Sequence, residues 1–259
     1  MRVPLLEIEH LTKRFGGLVA VSDLNLSVNE GDIVGLIGPN GAGKTTVFNM
    51  ITGIYLPTEG DIRFNSVSIV GKEPHVISNL GIARTFQNLR VFKDLTVLQN
   101  VMIAAQRDSS YSIWDAVFRS SRFRAVEEEI RQKTENLLSL AGLTDYATFK
   151  AKNLPYGHQR KLEIARALAL GPKILLLDEP AAGMNPDETL ELMDFIRRIR
   201  EEFQLTVLLI EHHMEVVMDL CERITVLDFG KTIAQGSPAE IQNNPQVIAA
   251  YLGEEDTSA

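Results

Sequence analysis

The chain has 259 residues, 45% hydrophobic and 23% charged, with 26 basic against 34 acidic residues and a formal net charge of −8. This is ample material for a packed core, and the acidic balance argues against nucleic acid as the main partner, since phosphate backbones want a basic face. Cys221 is the only cysteine, which excludes an internal disulfide and suits a reducing cytosol. Residues 1–15 hold no apolar signal core, and no apolar run approaches the ~18–20 residues that span a bilayer, so a soluble chain, or one held at a membrane by partners, is expected.

Residues 5–35 read as strands. Leu24, Leu26 and Val28 alternate with Asn25, Ser27 and Asn29, the period of two of a half-buried strand. Ile33-Val34-Gly35-Leu36-Ile37 reads as a buried strand, and Thr46 to Thr52 as a helix stopped by Gly53. Between them, Gly38-Pro39-Asn40-Gly41-Ala42-Gly43-Lys44-Thr45 fits the phosphate-loop pattern G-x-x-x-x-G-K-[ST] at every fixed position. The glycines let backbone N–H groups turn inward around phosphate oxygens, and the helix N-terminus adds partial positive charge aimed at the same anion. Residues 38–46 are therefore expected to bind a nucleotide, with Lys44 reaching the β- and γ-phosphates and the Thr45 hydroxyl ligating Mg²⁺.

After the turn-like Pro57-Thr58-Glu59-Gly60, Asp61 to Phe64 gives another strand. With the strands that precede the phosphate loop, it predicts an antiparallel sheet beside the nucleotide core. Residues 72–160 read as a mostly helical insertion, in which Val126, Ile130, Leu137, Leu138 and Ala141 fall near helical spacing before the stop at Gly142. Gln159 to Leu170 reads as a helix with Leu162, Ala165, Leu168 and Ala169 on its apolar face, ended by Gly171-Pro172. Residues 172–236 return to alternation: Ile174–Leu177, Thr206–Ile210 and Ile224–Leu227 as buried strands, and Asp187–Phe203 as a helix with Leu190, Met193, Ile196 and Ile199 on one face. Residues 237–253 read as a polar helical tail.

These elements make an α/β fold: a P-loop NTPase core with a parallel sheet, an antiparallel β subdomain and an inserted α-helical subdomain. The chain is read as one domain, 1–259, with residues 1–87 and 161–236 as core and β subdomain, 88–160 as helical and signature subdomain, and 237–259 as C-terminal tail.

Leu175-Leu176-Leu177-Asp178-Glu179-Pro180 is an apolar strand ending in two acids, at the ligand-binding edge of a parallel sheet. Asp178 can hold Mg²⁺, directly or through water, and Glu179 is then placed to polarise a water for attack on the γ-phosphorus.

Seven elements come in one order: Phe15, the phosphate loop, Gln87, the stretch Leu154-Pro155-Tyr156-Gly157-His158-Gln159, the Asp178-Glu179 pair, Gly183-Met184-Asn185-Pro186, and His212 after a strand. In that order and over nearly its whole length, the chain resembles the nucleotide-binding subunits of ATP-binding cassette (ABC) transporters. The resemblance implies that Phe15 stacks on adenine, the alternative being an aromatic packed under a hairpin. It implies that Gln87 contacts Mg²⁺ and the attacking water and links the core to the helical subdomain. The signature stretch, with Gly157 and His158, is implied to bind the γ-phosphate of ATP held by a second cassette, identical or not, in a head-to-tail dimer. It departs from the common L-S-G-G-Q: Pro155 replaces the serine, Tyr156 a glycine and His158 the glutamine, while Gly157 still offers a backbone N–H and the helix dipole. His212 is implied to sense the γ-phosphate; His213, where aspartate is usual, is the alternative for that role. A two-histidine metal site is disfavoured, since adjacent residues point apart and no third ligand is evident.

Within the family, Tyr156, Ala181 to Pro186, Ile210-Glu211-His212 and the ending Asn244 to Gly253 resemble branched-chain amino-acid importers. So does Arg107 to Arg124, which mixes Tyr111, Trp114, Phe118 and Phe123 with Arg119, Arg122 and Arg124. Trp114 and Phe118 are one helical turn apart, as suits either a protein interface or the subdomain's own core. The resemblance implies an ATPase subunit using ATP and Mg²⁺, two cassettes beneath two transmembrane permease subunits, with a substrate-binding protein acting indirectly and no nucleic acid. It places the chain at the cytoplasmic face of the inner membrane, with a surface near Gln87 receiving a helix from the permease. The alternatives are a lipopolysaccharide-export-type cassette, a soluble ABC ATPase without transport, and a small-molecule kinase; the signature helix and His212 disfavour the last.

Overall fold

In the computed structural model, residues 3–108 and 112–255 are described; residues 1–2, residues 109–111 (Tyr111 among them) and residues 256–259 lie outside them. β1 (Leu6–Phe15) and β2 (Leu18–Val28) pair antiparallel, with Leu6 opposite Val28 and Phe15 opposite Leu18. β3 (Ile33–Ile37) is buried at every residue and leads through the glycine loop into α1 (Lys44–Ile51). β4 (Glu59–Phe64) returns to pair with β1, and β5 (Val67–Ser68) completes a four-stranded antiparallel sheet of order β2-β1-β4-β5.

The chain continues through α2 (Pro74–Asn79), β6 (Ile82–Arg84) and the helices α3 (Val97–Ala105), α4 (Ile113–Val117), α5 (Ser121–Leu140) and α6 (Tyr156–Ala169). It then alternates β7 (Ile174–Asp178), α7 (Pro186–Phe203), β8 (Thr206–Ile210), α8 (Met214–Leu220) and β9 (Arg223–Asp228), and ends with β10 (Lys231–Gly236), α9 (Pro238–Gln242) and α10 (Pro245–Glu255). The second sheet has the order β10-β9-β3-β8-β7-β6, with β10 antiparallel to β9 and the other neighbours parallel.

The parallel strands are apolar over most of their length because both faces are covered. Ile37, Leu175, Leu177, Val207, Leu209 and Val226 share one core with residues of α6, α7 and α8. Leu36, Leu176, Leu208, Ile210 and Leu227 share the other with Val47, Phe48 and Ile51 of α1 and the antiparallel sheet. Each such side chain taken fully out of water contributes about 1.5–3 kcal/mol.

The structure corrects several expectations. β6 lies within the stretch read as mostly helical; three residues are too few to show a period, and pairing of Ile82 with Ile174 on β7 decides its state. β10 was not anticipated, and α6 begins at Tyr156, running unbroken past residue 160. Leu190 has the right helical phase but is 57% exposed. Asn185 to Glu191 is exposed or half-buried throughout, so α7 buries Leu192, Met193, Phe195, Ile196 and Ile199 only beyond that stretch. The tail is helical and is anchored by buried Ile241 and Val247. Trp114 and Phe118 are 68% and 75% exposed, which removes the reading of them as core.

Candidate active site

The loops that follow β3, β6, β7, β8 and β9 leave the same edge of the parallel sheet, where open α/β sheets place ligand crevices. A cleft of about 510 Å³ opens there, lined by Phe15, residues 40–46, Gln87, Glu179 and Phe229 among others.

The glycine loop is shaped by contacts that admit no side chain. Gly38 and Gly43 have φ of 145° and 103°, and a Cβ would stand 2.0 Å from the Leu227 carbonyl oxygen at Gly38 and 2.4 Å from that of Ala20 at Gly43. Gly43 is the N-cap of α1 and, lacking a side chain, offers no capping acceptor to the first-turn N–H groups. Those donors and the helix dipole make the mouth attractive to anions. Lys44 is buried, and its Nζ donates to the carbonyl oxygens of Gly38 at 2.6 Å and Pro39 at 2.8 Å, which holds the ammonium over the loop.

Thr45 is exposed at this mouth. Its hydroxyl, the Asp178 carboxylate and the Gln87 amide are hard oxygen donors, the chemistry that suits Mg²⁺. Asp178 is already engaged: its Oδ2 accepts from Arg84 Nη2 at 2.7 Å, with side chains 4% and 6% exposed. Arg84 Nη1 also donates to Asn49 Oδ1 on α1 at 2.7 Å. Nothing in the residue pattern singles out Arg84; the pairing exists because β6 and β7 are neighbours in the sheet.

Glu179 is held at φ 47°, in the left-handed region, by an N–H bond to the Ile210 carbonyl at 2.9 Å. A non-glycine residue there costs roughly 1–3 kcal/mol and persists only where its surroundings enforce it. Its Oε2 accepts from Gln87 Nε2 at 2.8 Å, and His212 Nδ1 stands 3.8 Å away. Gln87, Glu179 and His212, from the loops after β6, β7 and β8, thus form one cluster at the cleft.

The adjacent histidines do not point apart: the rings of His212 and His213 lie 4.2 Å from each other, inclined by 36°. Glu211 supplies a third donor, with the ligand atoms of all three residues within 4.8 Å of one another. The buried Glu211 carboxylate is, however, occupied, accepting backbone N–H groups of Ala181 (2.9 Å), His212 (2.9 Å) and His213 (3.2 Å). It fixes the loop that carries His212.

Phe15 lines the cleft at 41% exposure, edge-on to Tyr55 with centroids 5.3 Å apart and Lys13 Nζ 4.8 Å from its ring. Phe229, in the turn between β9 and β10, lines it too, at 86% exposure and φ 43°. It escaped the sequence reading with β10; an aromatic before Gly230 between two strands was the available signal.

Gly157 and His158 do not line this cleft. Gly157 N–H donates to Glu188 Oε1 at 3.3 Å, and a Cβ on Gly157 would meet that oxygen at 2.9 Å. Glu188 was also missed, and it further forms the capping box of α7 with Asn185. His158 packs edge-on to Tyr146 with centroids 5.0 Å apart, and burial pushes its pKa down. α6 is tied to the Gln87 segment by fully buried Arg160, whose guanidinium donates to the carbonyl oxygens of Phe86 at 2.8 Å and Gln87 at 3.0 Å. Beside that segment, Phe86, Arg90, Phe92, Ile103, Arg166 and Leu170 line a second groove of about 300 Å³.

A phosphate loop, two strand-end acids and a helical insertion tied to the glutamine segment define an ATPase of the cassette class. The chain belongs to the ABC transporter family, whose profile matches residues 21–182. The profile described as branched-chain amino acid ATP-binding cassette transporter matches residues 231–257. Over 254 residues the chain is 47% identical to the high-affinity branched-chain amino acid transport ATP-binding protein BraF of Pseudomonas aeruginosa. It is 45% identical over the same length to the protein of the same description, LivG, of Escherichia coli; each alignment covers 98% of this chain and 100% of the relative. The ADP conformation of an ATP-binding cassette of an ABC transporter matches with a TM-score of 0.84 at 31% identity, over 97% of this chain and 99% of that one. No helix among the described residues is long and apolar enough to cross a membrane.

Proposed function

We propose that the chain is the ATP-hydrolysing subunit of an importer for branched-chain amino acids, working at the cytoplasmic face of the inner membrane. The observation that carries this is the end-to-end identity of 45–47% to branched-chain amino acid transport ATP-binding proteins.

ATP lies along Gly38, Pro39, Asn40, Gly41, Ala42, Gly43, Lys44, Thr45 and Thr46, with Phe15 against the adenine. Lys44 neutralises phosphate charge. Thr45, Gln87 and Asp178 would hold Mg²⁺, which would supply neutralisation of phosphate charge. Glu179 accepts the proton of the attacking water, and His212 donates to the γ-phosphate. The 2.8 Å bond from Gln87 Nε2 to Glu179 Oε2 supports the pairing of these two roles.

Gly157 and His158 act on the ATP of a second cassette, a reading supported by their absence from this chain's own cleft. Glu188 must then release the Gly157 N–H when the second cassette's phosphate arrives. The groove at Phe86, Arg90, Phe92 and Arg166 receives a permease helix, and Arg160 relays its displacement to α6. In this scheme residues 1–87 and 161–236 bind nucleotide, 88–160 couple to the permease and the signature, and 237–259 form the tail.

The test is reconstitution with the permease and binding-protein subunits in vesicles. ATP-dependent leucine uptake, lost together with hydrolysis in Lys44→Ala, is the expected result. Uptake of another solute class to the exclusion of leucine overturns the substrate. Undiminished hydrolysis in purified Lys44→Ala removes the site.

A further inference from the structure

We propose that α4 and the start of α5 form a docking surface for an anionic bilayer, in which Trp114, Val117 and Phe118 enter the interfacial layer and Arg119, Arg122 and Arg124 meet lipid phosphates. The inference rests on the reading that the cassette works beneath a membrane, and it adds a direct lipid contact to the contact made through the permease.

Trp114, Val117 and Phe118 are 68%, 65% and 75% exposed, and the two rings stack with centroids 6.1 Å apart and planes 18° apart. A five-residue helix thus presents three large apolar side chains that stay mostly exposed among the described residues. The segment from Ser112 to Arg124 holds three arginines against one aspartate, in a chain whose net charge is −8. That aspartate is engaged locally: Asp115 accepts from Ser112 N–H at 3.0 Å and from the hydroxyls of Ser112 at 2.9 Å and Ser120 at 2.8 Å. Arg119 is held at φ 46°, where α4 turns into α5, and its carbonyl accepts from Arg124 Nε at 3.1 Å. The three arginines are exposed, and the acids Glu127, Glu128 and Glu129 follow farther along α5.

Indole with guanidinium is the composition of a bilayer interface: rings sit at headgroup depth, and arginines pair with anionic headgroups. The place of the patch fits as well. Arg107 Nη2 donates to the Leu170 carbonyl at 2.8 Å, so the chain leaves α3 at the rim of the groove assigned to the permease helix. The segment holding the patch starts within five residues of that anchored arginine along the sequence.

Trp114 is the only tryptophan, so its emission reports this patch alone. The full chain should be titrated with vesicles of phosphatidylcholine, with or without phosphatidylglycerol. A blue shift and protection from acrylamide are expected with the anionic vesicles only, reversed by salt as screening shortens the reach of charge. Arg119→Gln and Arg122→Gln should each weaken vesicle binding about fivefold, the effect of one arginine at an anionic surface. Phe118→Ser should weaken it further, with Trp114 still in place and ATP hydrolysis unchanged. An unshifted emission with anionic vesicles overturns the proposal, as does an equal shift with both compositions. A shift that needs the permease subunits overturns it too, and assigns the patch to protein. Each of these outcomes is independent of whether Lys44→Ala stops hydrolysis.

Discussion

Arg84→Met separates the structural role of the cation beneath the site from the chemistry above it. The guanidinium of Arg84 joins the end of β6, Asn49 on α1 and Asp178 at the end of β7, with both members of the ion pair almost fully buried. Methionine preserves an apolar stem near Phe48 and Phe86, whose rings lie 5.4 and 5.1 Å from the guanidinium, and removes the charge. Asp178 is then a buried carboxylate without its partner, and breaking a buried pair in this way costs about 3–5 kcal/mol. At roughly 2–4 °C per kcal/mol for a chain of this size, the nucleotide-free protein should melt about 6–20 °C lower. The double variant Arg84→Met with Asp178→Asn should recover part of that loss, since the uncompensated charge is gone; coupling of about 0.5–3 kcal/mol is expected for residues in contact. Thermal melts of the four proteins complete the cycle. A single variant that melts with the wild type, or a double variant whose loss equals the sum of the singles, would show that the pair carries no buried charge of consequence.

Glu179→Gln should retain ATP binding, since its amide oxygen can still accept from Gln87, while hydrolysis falls by roughly 10²–10⁴; turnover at the wild-type rate would falsify the base assignment. Phe15→Ala and Phe229→Ala should each weaken ATP and GTP to a similar extent, by about 1–3 kcal/mol if the ring stacks on a base. Isothermal titration that finds Phe229→Ala at full affinity leaves Phe229 as a bystander in its turn. Glu188→Ala frees the Gly157 N–H, so in the Glu179→Gln background the ATP-bound dimer should form at lower protein concentration by light scattering; a dimer that forms less readily would mean that Glu188 supports the signature instead of occupying it. Cys221 is buried, which pushes its thiol up to about 12. Iodoacetamide at pH 8 should therefore label it only after unfolding, and rapid native labelling would contradict its burial.

What the sequence determined by itself was local. The phosphate loop was legible because φ-positive glycines, a lysine and a helix start within eight residues specify one backbone path and one kind of ligand. The two acids after Leu177 were legible because the strand before them is apolar at every position. Periodicity gave the phase of each element and could not say whether neighbours exist to use it. Leu190 and Ile196 share a helical pattern, yet only Ile196 meets a core. The tertiary structure decided the rest, by bringing together residues far apart in the chain: Arg84 with Asp178, Gln87 with Glu179, and Gly157 with Glu188. It also left Trp114 and Phe118 mostly exposed among the described residues. Those outcomes depend on the order of strands in the sheet and on where each helix runs out of partners. A pair of charges becomes strong only when the fold removes water around both, and an aromatic side chain becomes a surface only when nothing in its own chain packs against it.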